Sequence, residues 1–167
     1  GLDLILDSLK EMMNQKCNVF ILGTGEKDIE NKVAYFQSVY PDNFVDAGIA
    51  EEHALVLANG MSIEGLIPFI SIYSTFLQRG YDQVIHDIAR MNSHVIIGID
   101  RAGIVGEDGE THQGIYDLTF LLPIPNLTIV TPKDSIEARN LLYTALLSKK
   151  PFAIRYSKEK IEYKKDK

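Results

Sequence analysis

The chain has 167 residues, 46% of them hydrophobic, which predicts one globular domain with a buried core. Its net charge of −6 argues against a nucleic-acid partner, which would need a basic face. A single cysteine, Cys17, excludes an internal disulfide and favours a reducing, cytoplasmic compartment. The lack of any apolar run of ~18 residues argues against a membrane span.

Helical spacing and short apolar runs alternate along the chain. Strands are predicted, in chain order, at residues 18–22, 44–47, 67–71, 94–99, 127–130 and 152–156. Helices are predicted at residues 2–15, about 28–39, 51–64, a segment ending near 91, 115–121 and about 134–148. Pro41 and Gly65 end two of these helices, because proline cannot continue a helix and glycine adopts the conformation that stops one.

The strands are short and continuously apolar, which is typical of strands that helices cover on both faces. We therefore predict an α/β fold with a doubly wound, mostly parallel sheet of about six strands. Residues 1–156 would form this single domain, and residues 157–167, rich in charged side chains, a solvated tail.

Polar and aromatic side chains concentrate just after three successive strands. They are Glu51 after the second strand, Tyr73, Phe76 and Arg79 after the third, and Arg101, Asp108 and His112 after the fourth. In an open α/β sheet, ligands bind at the carboxyl ends of the strands. The convergence of these residues at one edge predicts a binding site there.

Each of these residues also has an ordinary structural interpretation. Glu51 could be only a first-turn acid that the helix dipole stabilises by ~0.3–1 kcal/mol. Arg79 and Arg101 could be surface charges, although their forked donors suit a phosphate or a carboxylate. His112, on a glycine-rich loop, is a candidate for proton transfer. The four histidines lack the spacing of metal ligands, so no metal site is predicted.

Three segments resemble one enzyme group. Residues 46–54 read DAGIAEEHA, similar to the D-V-G-I-A-E-Q-H-A signature of thiamine diphosphate enzymes of the transketolase group. Residues 72–87 (IYSTFLQRGYDQVIHD) and 100–114 (DRAGIVGEDGETHQG) resemble 1-deoxy-D-xylulose-5-phosphate synthases in particular. The resemblance covers roughly residues 44–156 and is to the central, pyrimidine-binding domain of that family. Residues 1–43 fit it poorly and faintly resemble a segment of bacterial glycogen synthases.

The resemblance implies a thiamine diphosphate cofactor held by its pyrimidine end. Glu51 matches the glutamate that bonds N1′ of the aminopyrimidine and so promotes loss of the thiazolium C2 proton. Phe76 matches the ring that stacks on the pyrimidine, and Ile49 an apolar contact to it. The implied reaction joins pyruvate, with loss of carbon dioxide, to glyceraldehyde 3-phosphate, and it feeds isoprenoid and thiamine biosynthesis.

The resemblance also implies roles on the substrate side. Tyr73, Arg79 and Arg101 match positions that line the cofactor and substrate-phosphate pocket. Asp108 and His112 match polar groups near the reacting carbon, with His112 as the proton shuttle.

The chain departs from the family in two of its motifs. Glu52 stands where the family has glutamine, next to the implied catalytic glutamate. Lys158 stands where the family has an arginine, and its point charge cannot make a forked contact with a phosphate.

The family's diphosphate-binding domain, which binds Mg²⁺, and its carboxy-terminal domain have no counterpart in these residues. We therefore expect half of a cofactor site, no activity of the isolated chain, a partner domain or chain that supplies the other half, and a homodimer. Two alternatives stay open: a non-catalytic interaction or relic domain, and the pyrimidine half of a split transketolase. The run from Tyr73 to Arg79 counts against the latter.

Overall fold

Six parallel strands form one sheet in the computed structural model, which describes residues 17–21 and 27–158, with side chains from residue 31 onward. They are β1 (Cys17–Ile21), β2 (Phe44–Val45), β3 (Ile67–Tyr73), β4 (Ile96–Asp100), β5 (Thr128–Val130) and β6 (Phe152–Arg155). Their order across the sheet is β2-β1-β3-β4-β6-β5, and every pairing is parallel. The predicted fold class is confirmed.

Five helical segments connect these strands in the described part of the chain. They are α1 (Lys27–Val39), α2 (Glu51–Ile63), α3 (Tyr81–Gln83, continuing as a π-helix over Val84–Ala89), α4 (Asp117–Leu121) and α5 (Ser135–Ser148). Shorter 3₁₀ turns lie at Pro41–Asn43, Phe76–Gly80, Gly106–Asp108 and Glu110–His112. None of the described helices has the length and apolarity that crossing a bilayer requires. The helix predicted at 2–15 lies outside the described residues.

Helices cover both faces of the sheet. On one face Phe69 and Ile96 pack against α1 and α5, and on the other Ile70 and Ile97 pack against α2 and the π-helix. Successive residues of a strand point to opposite faces, so two adjacent apolar residues on each central strand supply both layers. This explains why the strands read as continuous apolar runs rather than as alternating ones.

The ends of α2 and α5 follow local sequence signals. Gly65 has a φ of +85°. Its N–H donates to the Ser62 carbonyl and the Leu66 N–H donates to the Met61 carbonyl, so α2 ends in a Schellman motif. Asp134 caps α5 by accepting a hydrogen bond of 2.8 Å from the Glu137 N–H. Gly65 therefore stops α2 as predicted.

Several strand boundaries differ from the predicted ones by one or two residues, and two of these differences shape the functional edge. β2 ends at Val45 instead of 47, because the Asp46 side chain accepts a hydrogen bond of 2.8 Å from the Gly48 N–H and turns the chain. β3 runs to Tyr73 instead of 71, because Tyr73 still pairs with Asp100 of β4. Tyr73 is thus a strand residue with a fixed backbone rather than a loop residue.

Gly98 in the centre of β4 gives a direct test of this packing. A Cβ at Gly98 would lie 2.5 Å from Phe69 Cζ and 3.1 Å from the Tyr156 hydroxyl. We expect Gly98→Ala to lower the free energy of unfolding by about 1–3 kcal/mol in urea denaturation. Gly60→Ala is the control, since Gly60 is an exposed residue of α2 with open space around it. It should raise stability by up to about 1 kcal/mol, and equal effects of the two changes would contradict the packing described.

Candidate active site

A cavity of about 660 Å³ opens at the carboxyl ends of β2, β3 and β4. All eight residues proposed from the sequence line it: Ile49, Glu51, Tyr73, Phe76, Arg79, Arg101, Asp108 and His112. Asp46, Gly48 and Ile72 complete the lining. The structure therefore brings the three polar segments together, as the strand topology predicts.

Glu51 occupies the first residue of α2 and is only 6% exposed. Its Oε1 accepts a hydrogen bond of 2.9 Å from Nη1 of Arg79, whose side chain is half-exposed. The two segments approach closely because Gly80 packs on α2, where any Cβ would overlap the side chain of Leu55. The carboxylate is buried, directed at the cavity and paired with a cation.

The aromatic residues of the cavity form one cluster around Phe76. The Tyr73 ring is stacked on it at 5.7 Å between centroids, and the His112 ring meets it edge-on at 5.2 Å. The Arg79 guanidinium lies over the Phe76 ring, 4.7 Å from its centroid. Phe76 is half-buried, because its ring packs against the core on one side and lines the cavity on the other.

Ile49 differs from the other proposed residues because its side chain is 86% exposed. It lines the cavity, yet nothing in the described part of the chain covers it. Glu52 and His53, which follow Glu51 on the helix, are exposed and do not line the cavity.

Arg101 is held rigidly by two carboxylates. Its Nη1 donates to Asp100 Oδ2 at 2.8 Å and its Nε donates to Asp108 Oδ2 at 3.3 Å. The guanidinium lies over the Tyr73 ring at 4.0 Å, and the backbone takes a left-handed φ of +55°. A non-glycine residue in that conformation costs about 1–3 kcal/mol, which the surrounding contacts must offset.

Lys158 joins this group from the far end of the described chain. Its Nζ donates to Asp108 Oδ1 at 2.5 Å and to Glu107 Oε1 at 3.4 Å. The hydrogen bond from Lys158, together with the charges of Lys158 and Arg101, holds the pKa of Asp108 below its ordinary value. The same bond raises the pKa of Lys158. The sequence assigned Asp108 to the site but gave no partner for it.

Deeper in the cluster, burial raises pKa values instead of lowering them. It raises the pKa of Asp100, although the positive charge of Arg101 offsets part of the effect. Burial likewise raises the pKa of Tyr73, again against the charge of Arg101. Tyr73 therefore carries its phenolic proton at neutral pH, and the ring offers a hydroxyl rather than a charge to the cavity.

The loop that carries Asp108 and His112 is tied at its base. Gly103 and Gly114 exchange two backbone hydrogen bonds of 2.7 and 2.8 Å. Gly114 has no room for a side chain, since a Cβ there would overlap the carbonyl oxygen of Arg101. The loop thus returns to the point from which it left, and both side chains are delivered to one cavity.

A buried ion pair supports this loop from below. Arg155 Nε donates to Asp117 Oδ2 at 2.6 Å, and Nη2 donates to the Gly114 carbonyl at 3.4 Å. The Asp117 side chain is fully buried, and its Oδ1 has no hydrogen-bond partner among the described residues. The sequence analysis missed this pair, because 38 residues separate its members. The described residues contain no cluster of three or more groups able to hold a metal ion.

The chain matches one known family along almost its whole length. Residues 3–164 match the family described as "Transketolase, pyrimidine binding domain". The chain belongs to this family. The match includes residues 3–43, the segment whose ancestry the motifs left open.

Two bacterial relatives resemble this pyrimidine-binding domain closely, and both are named 1-deoxy-D-xylulose-5-phosphate synthase. The protein of Listeria monocytogenes serotype 4b (strain CLIP80459) is 55% identical over 129 residues, which cover 77% of this chain and 21% of the relative. That of Bacillus cereus (strain AH820) is 53% identical over 131 residues, which cover 78% of this chain and 21% of the relative. The predicted resemblance is confirmed, and the chain matches about a fifth of the length of each relative.

Two solved structures share the fold. A split gene transketolase, solved as an inactive beta4 tetramer, has a TM-score of 0.76 and 27% identity, and the match covers 93% of this chain and 48% of that one. A transketolase from Leishmania mexicana has a TM-score of 0.73 and 23% identity, and the match covers 84% of this chain and 22% of that one. Each of these transketolases therefore contains a part with the same fold as this chain.

Replacing Asp108 by asparagine should remove a pH-dependent part of the stability of this domain. The folded-state pKa of Asp108 lies below the ordinary value of 3.8, so near that value the unfolded chain binds more protons than the folded one. The stabilisation is present at neutral pH and is lost as the pH falls through the folded-state pKa. In urea unfolding, the free energy of unfolding should fall more for the wild type than for Asp108→Asn as the pH is lowered from about 5 to 2.

Asp100, whose pKa is raised, titrates in both proteins and does not contribute to the difference between them. Equal losses of stability in the wild type and in Asp108→Asn would contradict the assigned role of Lys158 and Arg101 around Asp108.

Removing the cation below the loop should destabilise the domain strongly. Arg155→Met leaves the Asp117 carboxylate buried without its partner, which should cost roughly 3 kcal/mol in the free energy of unfolding. Arg90→Met, at an exposed arginine, is the control and should change stability by less than about 0.5 kcal/mol. A loss of less than about 1 kcal/mol for Arg155→Met would show that the pair does not hold the loop.

Proposed function

We propose that this chain is the pyrimidine-binding part of a thiamine diphosphate-dependent 1-deoxy-D-xylulose-5-phosphate synthase. The observation that carries the proposal is the placement of Glu51, a buried carboxylate, beside the half-buried ring of Phe76 in one cavity. The motifs around both residues and the identity of more than half to relatives of that name support it. Pyruvate and glyceraldehyde 3-phosphate would be the substrates.

The side chains of the cavity fit the pyrimidine end of the cofactor. A flat heterocycle needs an aromatic or apolar surface, and Phe76, Ile72 and Ile49 offer one. A ring nitrogen and an exocyclic amine need a group that can exchange and accept protons, which Glu51 provides. Phe76 would stack on the ring, Ile49 would contact it, and Arg79 would line its edge.

Thiamine diphosphate, when bound, supplies a thiazolium carbon that attacks a keto group and takes up the electrons released with carbon dioxide. Glu51 would exchange a proton with the pyrimidine nitrogen N1′ and hold the ring in orientation. Its burial favours this role, because a proton exchanged away from water is not lost to the solvent.

The second half of the cavity would bind the substrates. Arg101 and Tyr73 would face the phosphate and hydroxyl groups of glyceraldehyde 3-phosphate, with Arg79 at the boundary to the cofactor. His112, packed edge-on against Phe76, would move protons at the reacting carbon, and Asp108 would orient it or the substrate. Lys158 would add positive charge beside Asp108.

The diphosphate and its Mg²⁺ would be held by a domain or chain other than this one. The relatives are about five times longer than the segment that matches, which leaves room for such a domain. We further propose a cytoplasmic homodimer whose assembly completes the site. The likeness to a split gene transketolase, an inactive tetramer, is in accord with an isolated chain that lacks activity, and it keeps the split-transketolase alternative as the second candidate.

The catalytic role of Glu51 is testable after reconstitution with a diphosphate-binding domain or chain. We expect Glu51→Gln to lower the rate of carbon dioxide release from pyruvate by about 10²–10⁴-fold, because the proton exchange at N1′ is lost. Glu52→Gln, the exposed neighbour, is the matched control and should retain most of the rate. Turnover of a ketose phosphate donor without carbon dioxide release would favour the split transketolase. A reconstituted wild type without any turnover would favour the relic domain.

A further inference from the structure

We infer that Arg79 is an internal occupant of the pyrimidine site in the free chain, and that its side chain turns aside to the edge of the ring when the pyrimidine binds. The inference rests on the proposed function of Glu51 and Phe76. It concerns regulation of the same site, since an arginine that competes with the cofactor sets how tightly the free site accepts it.

The first observation is that Arg79 holds the carboxylate the pyrimidine would use. Its Nη1 donates to Glu51 Oε1 at 2.9 Å. A guanidinium offers only donors and needs an accepting oxygen of Glu51, whereas a pyrimidine ring nitrogen offers a lone pair and needs a donating O–H. While Arg79 stays in place it occupies Oε1, which leaves Oε2 for the ring nitrogen.

The second observation is that Arg79 also holds the ring on which the pyrimidine would stack. Its guanidinium carbon lies 4.7 Å from the centroid of Phe76. Two other rings also contact Phe76: Tyr73, stacked at 5.7 Å, and His112, edge-on at 5.2 Å. One side chain thus occupies both contacts through which the site would recognise an aminopyrimidine.

The third observation is that the backbone of Arg79 is fixed while its side chain is free to turn. Leu77 and Gly80, on the same 3₁₀ turn, are buried, and Gly80 packs closely on Leu55. The Arg79 side chain is itself 49% exposed. The movement is therefore a side-chain rotation toward solvent and needs no change in the fold.

The contacts of Arg79 have a strength suited to an occupant that a ligand can displace. A half-exposed ion pair contributes up to about 1 kcal/mol, and an exposed cation–π contact a similar amount. Removing both should tighten pyrimidine binding by about 3- to 30-fold. The occupant lowers affinity without blocking the site.

NMR titration of this chain with the free pyrimidine half of the cofactor, 4-amino-5-hydroxymethyl-2-methylpyrimidine, tests the inference. The probe is uncharged and lacks the diphosphate, so it addresses only the half-site present here, and NMR detects millimolar affinities. We expect shifts at Glu51 and Phe76 in the wild type and tighter binding in Arg79→Gln. Arg79→Lys, which keeps the charge but loses the planar fork, should fall between them.

Arg90→Gln is the matched control, because it removes the same charge from an exposed helical position outside the cavity, and it should bind like the wild type. Equal or weaker probe binding by Arg79→Gln would overturn the occupant role and leave the pyrimidine site standing. No shifts in any variant at tens of millimolar probe would remove the proposed pyrimidine site and this inference with it.

Discussion

The parallel register of β3 and β4 is the constraint on which the cavity depends. Tyr73 pairs with Asp100, and the Ser74 N–H continues the ladder to the Asp100 carbonyl at 2.7 Å. The two chains therefore leave the sheet side by side, one toward Phe76 and the other into Arg101. A slip of one residue would turn every side chain of the strand to the other face of the sheet. Apolar packing on both faces prevents such a slip, and it therefore also fixes the position of the site.

Charge in the cavity is arranged in two separate groups. On one side Glu51 is paired with Arg79, and on the other Arg101 and Lys158 are shared among Asp100, Asp108 and Glu107. The first pair includes a half-exposed member and is weak, whereas the second group, apart from the exposed Glu107, is largely buried. The side proposed for the cofactor is therefore easier to rearrange than the side proposed for the substrate.

Lys158 shows how one substitution changes a family site. An arginine at this position has a fork that can bond a carboxylate and still present donors to a ligand, whereas the lysine ammonium here is directed at Asp108 and Glu107. The consequence is a lysine that fixes the Gly106–Asp108 turn. Membership in the pyrimidine-binding family is unaffected, because it rests on a match over residues 3–164.

The sequence by itself determined the alternation of elements, the parallel sheet and eight of the eleven residues that line the cavity. Local signals can be read without knowledge of the fold. They include the hydrophobic periodicity, the helix stop at Gly65 and the position of Glu51 at a helix start. Only the tertiary structure decided which side chains pair. Lys158 and Asp108 are 50 residues apart and Arg155 and Asp117 are 38 apart, and no spacing rule links such positions. The same holds for Arg79, whose bond to Glu51 requires Gly80 to bring its turn against α2.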